Sequence, residues 1–528
     1  MFSTLFGRVL GRKATAGGGK PTISPQVHVP PVFDEDTFYK APEFNIDDYR
    51  PMKVRCIGAG FSVILCALRF RQKIANLDFR IYDKQDSVGG TWRANTYPYQ
   101  FSFEDHSQWS QFYSSGSEIR ENIERIVDKY KLRDYMHLRH ELTYAKWDQS
   151  GGKWTIRIRR HLADGQEEEF EETCDVLLLC VGSLHRWHWP DIPGLDEFGG
   201  TLVHSAEWNV DESIVEGKRV GVVGNGSSGI QIVAAVHPKV KTLVNYVRQK
   251  TWIVPDFAIK ETLELLGRSP SDTEPTFRPQ ELEWLKDPQK AKEFRHIVEH
   301  GMNAIHMLSL RDSEMQKQLR ALFEADMKKR LAKKPELIDQ IVPDFSVFCR
   351  RLTPGNGYLE ALCAGNTTYE TTPIKRITRT GIELEDGRHD DLDVLVLATG
   401  FDVSFHYPFD IVGRGDVKLN DRWQPYAEAY MSMAVDGFPN MFLVYGPGSG
   451  LNSGTIMSLL EHQAMYVTKC AMKMQRERLK SMEPKREATR DWMQHLRTVY
   501  MDKCKTWYTA EDGTVIGLWP GKSHRDSL

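Results

Sequence analysis

Two glycine-rich turns are the residues most able to do chemistry in this sequence. The first, Gly58-Ala59-Gly60-Phe61-Ser62-Val63, follows the apolar run KVRCI and opens a helix-like stretch. Glycines there permit a tight turn and let backbone N–H groups at a helix start approach a phosphate. Asp83 ends the next apolar run, DFRIYD, where a carboxylate can accept hydrogen bonds from ribose hydroxyls. Val63 stands where a third glycine is usual. A branched side chain there is expected to loosen the turn, and a glycine at 63 to tighten nucleotide binding. The second turn, Gly224-Asn225-Gly226-Ser227-Ser228-Gly229, has all three glycines. Its following strand ends not in an acid but in Arg248, with Lys250 two residues on. An acid would repel a 2′-phosphate that a guanidinium can hydrogen-bond, so this half is predicted to prefer NADP to NAD.

Two dinucleotide sites of opposite preference in one chain call for electron transfer between them, from a nicotinamide to a flavin held face to face with it. Each turn must therefore be positioned by a strand–helix–strand unit: KVRCIGAG with FSVILCALRFRQKI and DFRIYDK, then KRVGVVGNGSSGIQIVAAV with TLVNYVRQK. The predicted fold is α/β, with two Rossmann-like dinucleotide-binding domains, the NADP domain inserted in the FAD domain, helical insertions and a C-terminal helical cap. Across the 528 residues we expect an N-terminal tail, partly disordered, over 1–50 and the first part of an FAD-binding domain over 51–210. An NADP-binding domain with a helical insertion follows over 211–340, the FAD-binding domain returns over 341–470, and a cap covers 471–528. The strand DLDVLVLATG is expected to mark that return, in the first domain's sheet.

Composition removes several classes of function. Lys and Arg total 69 against 72 for Asp and Glu, a net charge of -3, so no broad basic field advertises nucleic acid or an anionic membrane. Mean hydropathy is -0.46, and no apolar run reaches the ~20 residues of a spanning helix. The eight cysteines show no CxxC spacing and several sit in apolar runs, as buried reduced thiols do. No metal site is expected. The opening segment carries Arg8, Arg12, Lys13 and Lys20 without an acid, a faint likeness to a transit peptide, although an unstructured basic tail is the plainer reading. The expected location is cytoplasmic, with mitochondria as the alternative. The oligomeric state is left open.

Further motifs carry a resemblance. Gly89-Gly90-Thr91-Trp92, then Asn95 and Tyr97-Pro98, resemble the GGTW…YP element of class B flavoprotein monooxygenases. Phe198, Gly200, His204 and Trp208 are similar to the FxGxxxHxxxW fingerprint of Baeyer-Villiger monooxygenases, with Asn209 where Pro or Asp usually follows. WPDIPGLDEF and Ala398-Thr399-Gly400-Phe401-Asp402 resemble that family too, and the likeness spans about residues 51 to 525. It implies FAD held by Gly58, Gly60 and Asp83, with Thr91, Trp92 and Tyr99 nearer the flavin. It implies NADPH held by Gly224, Asn225, Gly226, Ser227, Ser228, Gly229, Arg248 and Gln249. In CRRLTPGNGY, Arg351 matches the arginine that the family places over the flavin, with Arg350 as the alternative, and His204 resembles a linker residue that positions domains. The implied reaction takes a ketone and dioxygen to an ester or lactone, and a bulky apolar ketone suits the Met- and Phe-rich periphery. A permanently protonated guanidinium stabilises developing oxyanion charge, and losing such a donor costs about 3 to 4 kcal/mol at the transition state. Trp507, Trp519 and Pro520 are candidates to close the site against water, or simply core.

One departure bears on activity. Relatives usually carry a short stretch after YP with an aspartate that orients the arginine, whereas here Tyr97-Pro98 runs straight into Tyr99-Gln100-Phe101-Ser102-Phe103. Either a neighbouring acid such as Glu104 or Asp105 substitutes, or activity is reduced, or the sequence lacks a piece. Two other functions stay open: oxidation of amine or sulfide heteroatoms, and a nucleotide-binding protein whose oxygenation is impaired by the shortened loop after Pro98.

Overall fold

The computed structural model describes residues 48–93, 101–112, 114–208, 210–255, 259–269, 272, 274, 276–304, 314–347, 352–451, 454–499, 508–510 and 515–520. The chain divides after Asp48 into two units, and the elements that follow all lie in the second, Tyr49–Leu528. The tail expected over 1–50 falls outside the described residues up to position 47.

Two five-stranded parallel sheets position everything else. The first runs Met441–Leu443, Val176–Leu179, Met52–Ile57, Leu77–Asp83, Met136–Leu138 in spatial order. The second runs Thr367–Glu370, Thr242–Tyr246, Arg219–Val223, Val394–Leu397, Thr201–His204. All neighbours within each are parallel. Strands such as VLLL (Val176–Leu179) and VLVL (Val394–Leu397) are buried at every residue, the pattern of a parallel sheet covered on both faces. The chain leaves the first sheet after Leu179, builds the second, and returns at Met441.

That return comes later than the sequence suggested. Val394–Leu397 pairs with Thr201–His204 and Arg219–Val223, so it is the fourth strand of the second sheet and does not rejoin the first. Residues 201–204, assigned to the first domain, are likewise that sheet's edge strand. A uniformly apolar strand fits either sheet, and only its long-range partners decide. The segment read as helical excursions contains helices Ile259–Leu265, Pro279–Leu285, Pro288–Ala304 and Glu314–Arg330. Toward the C-terminus, the described residues hold helices Ile456–Arg476 and Arg486–Val499 and then β-bridges, Thr509 to Val515 and Gly450 to Leu518. The first of these helices packs on Phe61–Lys73, both contributing to one core.

The described cysteines are free thiols, with Cys56, Cys66, Cys174 and Cys180 buried; Cys349 and Cys504 lie outside the described residues. Among the described residues no group of acids, histidines and cysteines could hold a metal, and no helix is long and apolar enough to cross a membrane.

Candidate nucleotide and oxygenation site

Each glycine turn sits at the carboxyl end of a central strand, at the point where the strand order reverses. That crevice is where open α/β sheets bind ligands. In the first sheet Met52–Ile57 has its successor Leu77–Asp83 on one side and Val176–Leu179 on the other. Gly58, at φ +110°, lies over the end of the latter: a Cβ there would come 2.5 Å from the Cys180 carbonyl oxygen. The second sheet repeats this geometry. Gly224, at φ +113°, lies over the end of Val394–Leu397, and a Cβ would come 2.5 Å from the Ala398 carbonyl oxygen.

The helix starts are built for an external anion. Helices Phe61–Lys73 and Ser227–Val236 are N-capped by Gly60 and Gly226, neither has a side-chain cap, and neither has an acid in its first turn. Helix Gly116–Lys129, by contrast, closes its own start with a capping box of Ser115 and Glu118. The free N–H groups and the positive end of the helix dipole at the two glycine turns suit a pyrophosphate. Around Gly226 a Cβ would meet nothing within 4 Å, and Gly60 faces the Cα of Gly90 at close to van der Waals distance. The glycines therefore leave backbone open to a ligand, and the turns fit dinucleotides.

Asp83 lies at the first turn itself. Its carboxylate accepts from Ala59 N–H at 2.6 Å and from Gln85 N–H at 2.7 Å, which fixes it at the strand end beside the turn. Thr91 lies on the short helix Gly90–Arg93 and donates from its hydroxyl to the Leu184 carbonyl at 3.1 Å. Trp92 falls in the same short helix. Tyr99, Asn95, Tyr97 and Pro98 lie outside the described residues.

At the second turn Asn225 Nδ2 donates to the Gln249 carbonyl at 2.8 Å, tying the turn to the end of the strand that carries Arg248. Arg248, Gln249, Ser227 and Ser228 are exposed there, and Arg248 makes no ion pair among the described residues. Gly229 packs against the turn: a Cβ would come 2.2 Å from the Gly224 carbonyl oxygen. At the equivalent Val63 the first turn differs. Val63 is fully buried in the first core, where its branches pack.

Two of the chain's crossings between the sheets pass beneath the glycine turns. The crossing after Leu179 runs past Cys180, beneath Gly58, to Leu184, Arg186 and Trp187. The other leaves Leu397 past Ala398, beneath Gly224, to Thr399 and Asp402. They are fastened to each other. Arg186 forms an ion pair with Asp402, and Asp402 N–H donates to the Arg186 carbonyl at 2.9 Å. Burial works against the Asp402 carboxylate, yet hydrogen bonds from the Ser404 hydroxyl and backbone, with Arg186, hold its pKa down to about 2. Trp187 stacks on His204 at 4.1 Å between ring centroids, and His204 Nε2 lies 3.1 Å from Thr399 Oγ1. His204 Nδ1 accepts from Ala206 N–H at 3.2 Å, which leaves the proton on Nε2. Burial, with the nearby His188, lowers the His204 pKa and keeps the ring neutral. Gly200 is confined by packing, since a Cβ would come 2.4 Å from the Asp393 carbonyl oxygen and 2.7 Å from the Phe198 ring.

Arg350 and Arg351 lie outside the described residues, but the chain just beyond them belongs to the second nucleotide unit: Leu352 is buried in its core and Thr353–Pro354 pairs with Ile253–Val254. The two acids that could have replaced the missing aspartate are committed elsewhere. Glu104 takes Arg125 and Lys129 in ion pairs and accepts from the Tyr130 hydroxyl at 3.0 Å. Its pKa lies below the ordinary range because those donors outweigh burial. Asp105 faces the buried Arg295 of the helical insertion at 2.8 Å. A different acid, Glu461, reaches the shortened loop, accepting from Ser102 N–H at 2.7 Å and from its hydroxyl at 2.5 Å. Trp519 packs against Trp492, at 5.2 Å between ring centroids, and donates its backbone N–H to Gly450 at 2.7 Å; Trp507 lies outside the described residues.

Sequence reasoning missed Asn245. Fully buried in TLVNY, it donates from Nδ2 to the Val222 and Gly224 carbonyls at 3.0 and 3.1 Å, and so holds the second turn from beneath. The signal was there: an amide inside an apolar strand needs partners.

Comparison with known proteins agrees with this geometry. A family model described as flavin-binding monooxygenase-like matches residues 52–262. The chain is 36% identical over 496 residues to the FAD-binding monooxygenase tazF of Aspergillus terreus, covering 90% of this chain and 86% of that protein. To a Baeyer-Villiger monooxygenase of Pseudomonas aeruginosa it is 32% identical over 496 residues, covering 90% and 89%. Among solved structures, a closed crystal structure of cyclohexanone monooxygenase superposes with a TM-score of 0.72 at 24% identity, covering 90% of this chain and 96% of that one. An oxidised steroid monooxygenase bound to NADP gives 0.70 at 25%, with the same coverage.

Proposed function

We propose that this chain, which belongs to the flavin-binding monooxygenase-like family, takes electrons from NADPH and inserts one oxygen atom of O2 beside the carbonyl of a ketone, giving an ester or lactone and water. The observation that carries the reading is the pair of bare helix N-termini at two strand-order reversals, one beside Asp83 and one beside Arg248, joined by crossings that are fastened together. Bound FAD would supply the redox chemistry, accepting hydride and activating oxygen. The chain's own part is to bind and orient. The Gly58–Gly60 turn and Asp83 suit the adenosine and pyrophosphate of FAD. The Gly224–Gly229 turn, with exposed Arg248, suits a nicotinamide nucleotide bearing a 2′-phosphate. Arg351 is assigned the fixed positive charge at the oxygenating centre, where a group that cannot lose its proton stabilises an oxyanion.

A ketone substrate is supported by the name of the Pseudomonas relative and by the cyclohexanone and steroid monooxygenase neighbours, and a bulky apolar ketone is the form proposed. A second reading, oxidation of sulfides or amines, draws on Glu104 and Asp105 being engaged with other partners. Soft nucleophiles have less need of an arginine held by an orienting acid.

One assay separates these readings: purified chain loaded with FAD, given NADPH in air with one bulky ketone and one sulfide. Ester formation supports the proposal. Sulfoxide without ester overturns it in favour of the second reading, and protein that stays colourless and consumes no NADPH overturns both.

A further inference from the structure

The start of the first nucleotide helix is propped from outside its own sheet. Phe61, the residue after the Gly60 cap, meets the ring of Phe101 edge-on at 5.0 Å, and Phe101 stacks on Phe103 at 5.1 Å. Phe61 and Phe101 are both buried in the core to which helices Phe61–Lys73 and Ile456–Arg476 contribute. Phe103 in turn lies edge-on to Tyr130 at 5.9 Å, at the end of helix Gly116–Lys129. A row of rings thus runs from that helix end to the phosphate turn. Rings have no polar atom to fix their register, so it depends on the backbone between Phe101 and Phe103.

That backbone is gripped at one residue. Glu461, in the second turn of helix Ile456–Arg476, accepts from Ser102 N–H through Oε1 at 2.7 Å and from the Ser102 hydroxyl through Oε2 at 2.5 Å. Two bonds to one residue set its orientation as well as its position. Glu461 is half-buried and has no ion pair among the described residues, whereas the acids that follow Ser102, Glu104 and Asp105, are each taken by cations. A half-buried carboxylate without a cation is unfavourable unless hydrogen bonds satisfy it, and Ser102 supplies them. Helix Ile456–Arg476 also packs on helix Phe61–Lys73. The contacts therefore close a circuit, from one helix to the other, through Glu461 to Ser102, and back through Phe101 to Phe61.

We propose that Glu461 is a positioning residue of the flavin half: its grip on Ser102 seats Phe101 against Phe61 and so fixes the helix start whose N–H groups receive the FAD pyrophosphate. This rests on the FAD-binding reading of the Gly58–Gly60 turn.

The test uses the FAD-loaded full chain and two readouts: FAD affinity, from the rise in flavin fluorescence as the protein is diluted, and NADP+ affinity by calorimetry at saturating FAD. Glu461→Ala removes both bonds and should weaken FAD about tenfold, the scale of charge-assisted hydrogen bonds, while NADP+ affinity stays within about twofold of wild type. Glu461→Gln can still accept from Ser102 N–H and can donate its amide to the Ser102 oxygen, so it should restore most of the FAD affinity. Ser102→Ala removes one bond only and should weaken FAD about threefold, which keeps the test open if Glu461→Ala does not fold. Adding Phe101→Leu to Glu461→Ala should cost less than the sum of the two single losses, because both act along one route. Unchanged FAD affinity in Glu461→Ala and Ser102→Ala, equal losses of FAD and NADP+, a Glu461→Gln protein no better than Glu461→Ala, or losses that simply add in the double variant would overturn the proposal. Wild-type protein that binds no FAD would overturn the functional reading along with it.

Discussion

Replacing Val63 with glycine would give the first turn the full G-x-G-x-x-G pattern and should nevertheless weaken it. Val63 has no exposed surface and belongs to the core formed by helix Phe61–Lys73, the first sheet and helix Ile456–Arg476. Removing its three side-chain carbons forfeits about 2.4 kcal/mol at roughly 0.8 kcal/mol per buried carbon, before any cavity term. Glycine in place of valine within a helix adds about 0.5 kcal/mol. A total of about 3 kcal/mol corresponds to a melting shift of roughly 10 °C for a cooperative unit of 150–250 residues. The loss falls in the first turn of the helix that Gly60 caps, so FAD affinity should drop with stability. The assay heats FAD-loaded protein and follows the rise in flavin fluorescence on release, with FAD affinity by quenching at 25 °C; Val63→Ala should fall between wild type and glycine. Tighter FAD binding in Val63→Gly, or a melting point within a degree of wild type, would refute the argument that the branched side chain supports this turn.

Arg248→Ala should raise the Michaelis constant for NADPH at least tenfold more than that for NADH, since a charged hydrogen bond contributes about 1.5–3 kcal/mol; equal effects on both would remove Arg248 from the phosphate. Arg351→Ala should leave flavin bleaching by NADPH largely intact while cutting ester formation 10²- to 10³-fold, the scale of one lost oxyanion donor, and an unchanged ester yield would refute its role. The Asp402 carboxylate, with a pKa of about 2 in the fold against about 3.9 unfolded, contributes stability that is complete above pH ~4 and lost as pH falls through 2. Acid titration of wild type against Asp402→Asn should thus show a stability gap that narrows across that window. A gap independent of pH would argue against the ion pair.

The parts of the fold that were legible are those written in local pattern. Strand, glycine turn and helix are contiguous in the sequence at Met52–Lys73 and Arg219–Val236, so the turns and their carboxyl-end placement could be read directly. Partner choice over long separations could not. VLVL at Val394–Leu397 carries no mark of which sheet it joins, because burial on both faces removes the alternation that would assign one. Asn245 and Tyr358 are 113 residues apart and meet only in the fold. Glu104 looked available from its position near the shortened loop. Its three donors, Arg125, Lys129 and Tyr130, lie more than a helical turn's span away in sequence on the following helix and its end. Val63 illustrates the same point: a motif states what the backbone usually needs, whereas the space beside a residue depends on what packs against it.

The crossings show why two separate binding turns can act as one site. Neither sheet shares a strand with the other, so their relative placement depends on the segments that cross between them: those that leave Leu179 and Leu397, and the helical insertion, whose Phe277 and Leu285 pack in the first core. A single crossing would act as a hinge, free to turn about its own axis. Two crossings fastened to each other cannot turn independently, and here the fastening is threefold: the Arg186–Asp402 ion pair, the backbone bond beside it, and His204 held between Trp187 and Thr399. A neutral His204 suits this task better than a charged one. It keeps Nδ1 as an acceptor for Ala206 and brings no buried charge that would need a counter-ion. The neutral His204 ring thus fastens the two crossings by stacking on Trp187 and bonding to Thr399.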